Sequence, residues 1–438
     1  MLYIERALQN KLIEIFGVDI KRGVILAGVV GCGKTTLVNE TLRQLGAKYQ
    51  IFNFSGDDIL FRNATSEDTT YIHKHVRSQT QGKALVFVDE VQKAESIFDA
   101  VKYAFDHSDM SFIVSGSNPD YLNTVAKKRL QRRADLLILH PFSLAEILAH
   151  MGFIKLKDAD IFREIILSKD SGLLQEKIDL RLAQSDSARE KIAAIVKEYS
   201  TFGGLPLAYL AKNENEKLIE IEKVVERGFE SFSINNENNS DTIKIELAKL
   251  HSQEFAYQGV FQKTGLRRRD IINKTIDQLI NQGYLLKKKP YLEDENRKSY
   301  LTVFSYIDPG IVTYLTGMIG LENITGQRIE GIAHAGLDAI MRNHIPLKSS
   351  LFYYKPYAID INNKVKFLSG EIDFVFKKGV DICAIEVKAT NNLNAIKVPV
   401  LEKFVHEKGL PFGVVLYGGI PFWDKEKSKI LYWPYWLI

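Results

Sequence analysis

The sequence predicts an α/β protein of several domains, with a buried parallel sheet near its N-terminal end. Three observations lead there. The chain has 438 residues, more than one ordinary core holds, so two to four domains are expected. Short apolar runs at 24–28 (VILAG), 50–54 (QIFNF), 84–88 (ALVFV), 112–115 (FIVS) and 136–139 (LLIL) alternate with helical patterns, as strands buried on both faces do. Hydrophobic residues make up 45% and charged residues 26%, the balance of a globular chain and not of a disordered one.

Beyond the sheet, residues 141–235 turn helical. LAEILAHMGF and REKIAAIVKEYSTF carry apolar residues at three- and four-residue spacing, and GGLPLAYLA (203–211) punctuates them. The polar, asparagine-rich INNENNSD (234–241) reads as a linker. From 242 to about 316 the order is helix, short helix, longer helix (RRRDIINKTIDQLINQGYL) and two strands, YLLKKKPYL and KSYLTVFSYI. They are joined by the charged turn EDENR, an order that suits a winged helix-turn-helix. From about 325 a helix (QRIEGIAHAGLDAIMRNH), strands, a second helix (NAIKVPVLEKFVHEKG) and more strands make a separate α/β domain. The expected domains are therefore 1–145, 146–235, 242–316 and 325–438. The closing ILYWPYWLI is too short to span a bilayer and suits a last strand packed on the core.

A formal net charge of +4 permits nucleic-acid binding only through a local patch. Only two cysteines occur, Cys32 and Cys383, far apart, which argues against a disulfide framework and for a reducing compartment. The first residues lack a signal-peptide core and no stretch reaches the roughly 18 apolar residues of a membrane span, so a cytoplasmic protein without membrane attachment is expected.

The chemistry-bearing motif of the first domain is GVVGCGKT, residues 28–35, between a predicted strand and a helix. It satisfies G-x-x-x-x-G-K-[ST], the P-loop pattern. Gly28, Gly31 and Gly33 let backbone N–H groups turn around phosphate oxygens, and Lys34 pairs with the β- and γ-phosphates. Thr35 ligates Mg²⁺, and Cys32 and Thr36 complete the loop and the first helical turn. ALVFVDE (84–90) supplies the second half: Asp89 holds Mg²⁺ through a water and Glu90 polarises the attacking water. ATP and Mg²⁺ are the expected cofactors. In FIVSGSN, Ser115 or Asn118 is placed near the γ-phosphate. In KRLQRRADLLILHPFS, Arg132 and Arg133 could include a finger acting on a neighbouring copy, which would need a homo-oligomer.

Near the other end, GEIDFVFKKGVDICAIEVKA (370–389) alternates as strands do. Glu371 and Asp373 share one face opposite Ile372, Phe374 and Phe376, and Glu386 and Lys388 share one face opposite Ile385 and Val387. Carboxylates and a lysine on adjacent strands can hold a divalent metal and aim a water, or can simply be a solvated hairpin face. Arg267, Arg268 and Arg269 open the longer helix of the winged region, and Lys287, Lys288 and Lys289 lie at its wing, where they could meet DNA phosphates.

VFVDEVQ, FIVSGSN, LQRRADLLILHPFSLAEIL and FGGLP, in that order, resemble the motifs of prokaryotic AAA-type ATPases of the archaeal-ATPase group. SYIDPGIVTYLTG, Glu330 in GQRIEGIA, Tyr353-Tyr354 in LFYYK, and EIDFVF followed by IEVKA extend the resemblance over nearly the whole chain. It implies a P-loop ATPase domain, a helical lid, a winged helix and a C-terminal restriction-endonuclease-like domain. It also implies that Asp373 and Glu386 are metal-binding acids for Mg²⁺ or Mn²⁺, Lys388 the lysine that orients hydroxide, and Glu330 a further ligand. Arg133 corresponds to the family's arginine before the PlS-type motif, although Gln131 and Arg132 stand where the family has a small residue and a glycine. Tyr354 and Lys355 likewise replace its tryptophan-arginine. The function expected is an ATPase whose nucleotide state regulates a DNA-binding, metal-dependent nuclease half. The alternative is a nucleotide-dependent switch whose second half only binds.

Overall fold

The computed structural model describes residues 3–168, 186–229, 237–265, 268–293, 301–319, 325–344, 349–359, 365–424 and 427–438. They fall into two compact units, each assembled from three stretches of chain. The first comprises Met1–Pro141, Val224–Ser231 and Asp277–Tyr284; the second comprises Phe142–Lys223, Phe232–Ile276 and Leu285–Ile438.

The first unit is built on five parallel strands, β1 (Gly23–Ala27), β2 (Gln50–Ser55), β3 (Ala84–Asp89), β4 (Met110–Gly116) and β5 (Asp135–Ile138), in the order β2-β3-β4-β1-β5. All five expected apolar runs are strands. Val24, Ile25 and Leu26 of β1 and Leu85, Val86 and Val88 of β3 are wholly buried, as central strands covered on both faces require. Ile25, Val86, Val88, Phe98, Phe112 and Val114 anchor the core between this sheet and its helices. The strand order puts β1 between β4 and β5 and beside no strand consecutive to it. The loop after β1 therefore opens where neighbouring crossovers diverge, the usual place for a ligand in such sheets.

The second unit holds a nine-stranded sheet ordered β15-β16-β14-β13-β12-β9-β7-β8-β6. Its strands are β6 (Gln253–Phe255), β7 (Leu285–Pro290), β8 (Thr302–Tyr306), β9 (Ser349–Tyr354), β12 (Ile372–Lys378), β13 (Asp381–Val387), β14 (Gly413–Tyr417), β15 (Phe422–Asp424) and β16 (Ile430–Pro434). β10 (Tyr357–Ile359) and β11 (Val365–Phe367) form a separate ribbon. The helices Glu237–Lys249, Tyr257–Thr264 and Arg269–Asn281 precede β7 and β8 in the expected order. However, β7 runs parallel to β9, so one sheet crosses the boundary expected between 242–316 and 325–438. A helix spans Glu237–Lys249, which corrects the linker reading for its last five residues; residues 234–236 lie outside the described ones. The C-terminal strand β16 is fully buried, with Trp433 stacked on Phe162 at 5.8 Å, as the last-strand reading expects.

FGGLP and SYIDPG meet in this unit. Asp308 is fully buried and caps the helix Pro309–Thr316, accepting hydrogen bonds from Gly310 N (2.8 Å) and Gly204 N (2.7 Å). Gly203 is held at φ +73°, and a Cβ there would lie 1.8 Å from Asp308 Oδ1, which accounts for the glycine. Arg328 ties the same corner together, donating to Ser200 O (2.7 Å) and Pro309 O (3.0 Å). Cys32 and Cys383 are both buried, and neither is in a disulfide.

Candidate functional site

In the first unit, β1 ends at Ala27 and the helix Lys34–Leu45 begins seven positions later, with Gly33 in the left-handed region (φ 94°) as its N-cap. Glycine takes that conformation without strain, and a glycine turn leading into a helix N-terminus is the arrangement that can offer N–H groups to an anion. Gly28 is required for another reason: a Cβ there would lie 2.4 Å from Leu139 O. Lys34 is buried and donates to Gly28 O (2.9 Å) and Val29 O (3.1 Å), so its ammonium rests inside the loop.

Asp89, at the end of β3, is held from both oxygens. Thr35 Oγ1 donates to Oδ2 at 2.6 Å, and Oδ1 accepts from Glu90 N (3.0 Å) and from the Ser115 hydroxyl. The P-loop threonine and the strand-end acid are thus brought together, as expected. Both present hard oxygens, the donor type Mg²⁺ takes, so these residues fit that ion. Glu90 follows with a left-handed backbone (φ 50°), uncommon for a non-glycine residue. Its carboxylate accepts from Gln92 Nε2, which also donates to Ser117 Oγ at 3.1 Å.

Several expectations need correction here. Ser115 is fully buried and bonded to Asp89, so it braces the acid and does not offer a free hydroxyl to a phosphate. Asn118 accepts from Tyr121 N at 3.0 Å and so starts the following helix. Arg133 places two nitrogens on Asp106, at 2.7 and 2.9 Å, a bidentate pair within its own chain that occupies the guanidinium expected to act as a finger. Arg132 beside it is exposed, at φ 58°. Sequence reasoning missed two residues altogether. Gln92 carries no charge and so gave no signal. Arg6, buried near the N-terminus, donates to Cys32 O (3.1 Å) and His140 O (2.6 Å) and clamps the loop.

In the second unit, β12 and β13 are antiparallel, with Phe374 opposite Ile385. Pairing of β12 with β9 shifts register between Ile372 and Val375, the stretch that holds Asp373. Asp373 Oδ2 accepts from Val387 N at 2.6 Å. Lys388 Nζ donates to Glu386 Oε1 at 2.6 Å, and Glu330, on the helix Thr325–His344, accepts from Lys288 Nζ at 2.6 Å. Glu330, Glu371, Asp373, Glu386 and Lys388 line a pocket of about 490 Å³. Burial raises the Glu330 carboxyl to about 7 against the pull of Lys288. Burial, then the charge of Asp373, raises Glu386 to about 7, and burial also raises Asp373. For Lys388 burial acts downward, but the charge of Glu386 and the hydrogen bond to it leave the ammonium above its ordinary value.

Among the described residues no three His, Cys, Asp or Glu side chains form a group able to hold an ion. The expected ligand set of Glu330, Asp373 and Glu386 is therefore not assembled, and Glu330 is instead paired with Lys288. Lys288 itself corrects the DNA-contact expectation: β7 alternates, so Lys287 and Lys289 are exposed while Lys288 is buried. Arg267 lies outside the described residues. Arg268 pairs with Asp270 at 2.6 Å, and Arg269 lies 5.3 Å from the Tyr257 ring centroid. On β9, Tyr353 Oη and Lys355 Nζ, just past the strand end, converge on Glu254 Oε1 at 3.0 and 2.8 Å, which shows what that segment contacts.

Residues 21–148 match the family model described as an AAA domain, and this stretch includes Lys34, Thr35, Asp89 and Glu90. Among curated proteins none is similar enough to match. Solved structures that resemble the chain include one on the structural basis for katanin self-assembly, at 13% identity, covering 44% of this chain and 78% of that one with a TM-score of 0.26. Another is Cdc6p from Pyrobaculum aerophilum, at 13% identity, covering 72% and 95% with a TM-score of 0.27. Among the described residues no helix is long and apolar enough to cross a membrane.

Proposed function

We propose that the chain is an ATPase, with an AAA domain that binds and hydrolyses ATP on the loop after β1. The observation that carries this reading is the 2.6 Å contact of Thr35 Oγ1 with Asp89 Oδ2, which joins the phosphate loop to the acidic strand end with Glu90 next in line. The glycine loop and the N-terminus of the helix Lys34–Leu45 receive the phosphates, and Lys34 exchanges its bonds to Gly28 O and Val29 O for phosphate oxygens. Thr35 and Asp89 would hold the Mg²⁺ of the nucleotide, which neutralises phosphate charge. Glu90, its carboxylate steadied by Gln92, orients the attacking water. ATP binding and turnover in Lys34→Ala and Glu90→Gln test this. Lys34→Ala should lose both, and Glu90→Gln should bind ATP but turn it over at least ~100-fold more slowly. Undiminished turnover in Lys34→Ala would refute the assignment.

We further propose that the second unit handles nucleic acid through a nuclease-like site. What supports this is the order helix, β9, β12, β13, helix, β14, with β13 and β14 parallel, and the pocket lined by Asp373, Glu386 and Lys388. In this reading Asp373 and Glu386 would hold a divalent cation, which would supply Lewis-acid activation of a water, and Lys388 would orient that water toward a phosphodiester. Exposed Arg268, Arg269, Lys287 and Lys289 would meet backbone phosphates. Plasmid and single-stranded DNA with Mg²⁺ or Mn²⁺ are the substrates to try, beside Lys388→Ala. Cleavage that needs Lys388 supports the nuclease; nucleotide-dependent DNA binding without cleavage supports a switch built on the same fold.

A further inference from the structure

The parallel strands β13, β14 and β16 of the second unit end side by side at Val387, Tyr417 and Pro434. Crevices outside the carboxyl ends of such strands are where α/β sheets receive ligands. Here residues that follow the three strands, among them Asn391, Gly418 and Tyr435, line a cavity of about 690 Å³. One face of the helix Asp186–Phe202 lines it too: Arg189, Ile192, Ala193, Val196 and Lys197 fall at i, i+3, i+4, i+7 and i+8. All of these residues belong to the second unit.

Two features of the cavity call for a ligand. Tyr435 is 7% exposed, and its hydroxyl has no hydrogen-bond partner among the described residues; burial pushes the phenol up to about 12. A buried phenol kept neutral is a donor that lacks its acceptor. The second feature is charge. Arg189, Lys197 and Arg328 line the cavity, and among the described residues no Asp or Glu does. Arg328 is committed to the fold, donating to Ser200 O, Pro309 O and Thr313 Oγ1, with buried Asp308 as its counter-charge. Lys197 pairs with no carboxylate among the described residues, so the cavity complements an anion.

The volume exceeds what a bare anion needs and lies in the range of small-molecule sites, about 300–1,000 Å³. An acyl chain would require a wholly apolar wall, whereas this one sets the Asn391 amide and the Tyr435 hydroxyl beside Ile192, Val196 and Trp436. A flat body with a hydrogen-bonding edge and a phosphate suits both parts of that wall. We propose that the cavity binds a nucleotide unit, with its base between the apolar helix face and the strand ends, its edge on Tyr435 Oη and Asn391, and its phosphate on Lys197. A free nucleotide and a nucleotide within a single strand present the same chemistry to it. None of Glu330, Asp373, Glu386 and Lys388 lines this cavity, which therefore stands apart from the nuclease-like site.

The test is isothermal titration calorimetry of the full-length chain, with Lys34→Ala in every sample to remove binding at the phosphate loop. The probes are AMP, GMP, CMP, UMP, a four-residue oligothymidylate, uridine and inorganic phosphate. At least one nucleotide probe should bind, at one per chain. Lys197→Glu should weaken it at least about tenfold and Tyr435→Phe about fivefold, as loss of a charged and of a neutral hydrogen bond would. Ala193→Phe fills the cavity and should abolish binding, whereas Lys191→Glu, exposed on the same helix but outside the cavity, should leave it unchanged. This pattern with a monophosphate identifies a free nucleotide, and the same pattern with the oligothymidylate alone identifies a strand. Uridine binding as tightly as UMP, or inorganic phosphate displacing the nucleotide at equal concentration, would overturn the proposal. So would binding that Lys197→Glu leaves intact, or no binding of any probe. Lys197→Glu alters an exposed side chain and decides the question even where Ala193→Phe fails to fold.

Discussion

Arg6 shows how a residue with no motif around it can govern a site. Its guanidinium satisfies one carbonyl within the phosphate loop, at Cys32, and one just after β5, at His140, and removing it leaves those groups unpaired at a cost of about 1–3 kcal/mol. Arg6→Met should therefore weaken ATP binding about tenfold in equilibrium titration while Glu90-dependent turnover at saturation changes little; equal loss in both would mean the loop had collapsed. Asp308 makes a different prediction. Burial raises its carboxyl to about 6, against backbone N–H donors led by Gly204 that pull it down. The folded value lies above the unfolded one, so its contribution is fullest below about pH 4 and is lost as the pH rises to about 6. Unfolding free energy relative to Asp308→Asn should fall by on the order of 3 kcal/mol across that window and stay flat above it. A difference that does not vary with pH would rule out the shift.

Among the elements, the corner where FGGLP meets SYIDPG depends on a backbone with no room to spare. Gly203→Ala would need a left-handed alanine and would drive its methyl into Asp308, so unfolding midpoints should show a loss of about 2 kcal/mol or more. The turn after Leu130 makes a complementary case. Because Arg133 is committed to Asp106, Arg133→Ala should lower the melting temperature yet leave ATP turnover within about threefold; collapse of turnover in a stable variant would restore the finger. Elements of this kind differ in how well the sequence announces them. The five parallel strands were legible because both faces are buried and apolar runs result. Lys34, Thr35, Asp89 and Glu90 stood out because phosphate and Mg²⁺, the ligands proposed for them, demand those types at that spacing. The lysine triplet misled: three like charges read as one solvated patch, whereas β-alternation sends the middle one into the site. INNENNSD misled too, since residues 237–241 are helical although their composition is that of a linker.

At the scale of the whole molecule, the two proposed chemistries give separable readouts. Lys388→Ala should abolish metal-dependent DNA cleavage with ATP turnover unchanged within about twofold. Lys34→Ala should abolish turnover, and whatever it does to cleavage measures the coupling. Sequence reading divided the chain into consecutive blocks, and the folded units do not respect them. Nothing in local periodicity could have shown that Val224–Ser231 and Asp277–Tyr284 belong with the first 141 residues, because the tie is tertiary.

That discontinuity has a bearing on how the protein is made. Gly31 of the phosphate loop packs on Val224, where a Cβ would lie 2.7 Å from Cγ2, and Tyr284 stacks edge-on against Phe229 at 5.2 Å. The nucleotide-binding unit therefore lacks part of its wall until residue 284 has left the ribosome, long after its sheet has been translated. Synthesis must pass through a nascent chain with the P-loop formed and its flank bare, and a gene fragment ending near codon 145 should yield a protein that aggregates or binds ATP poorly.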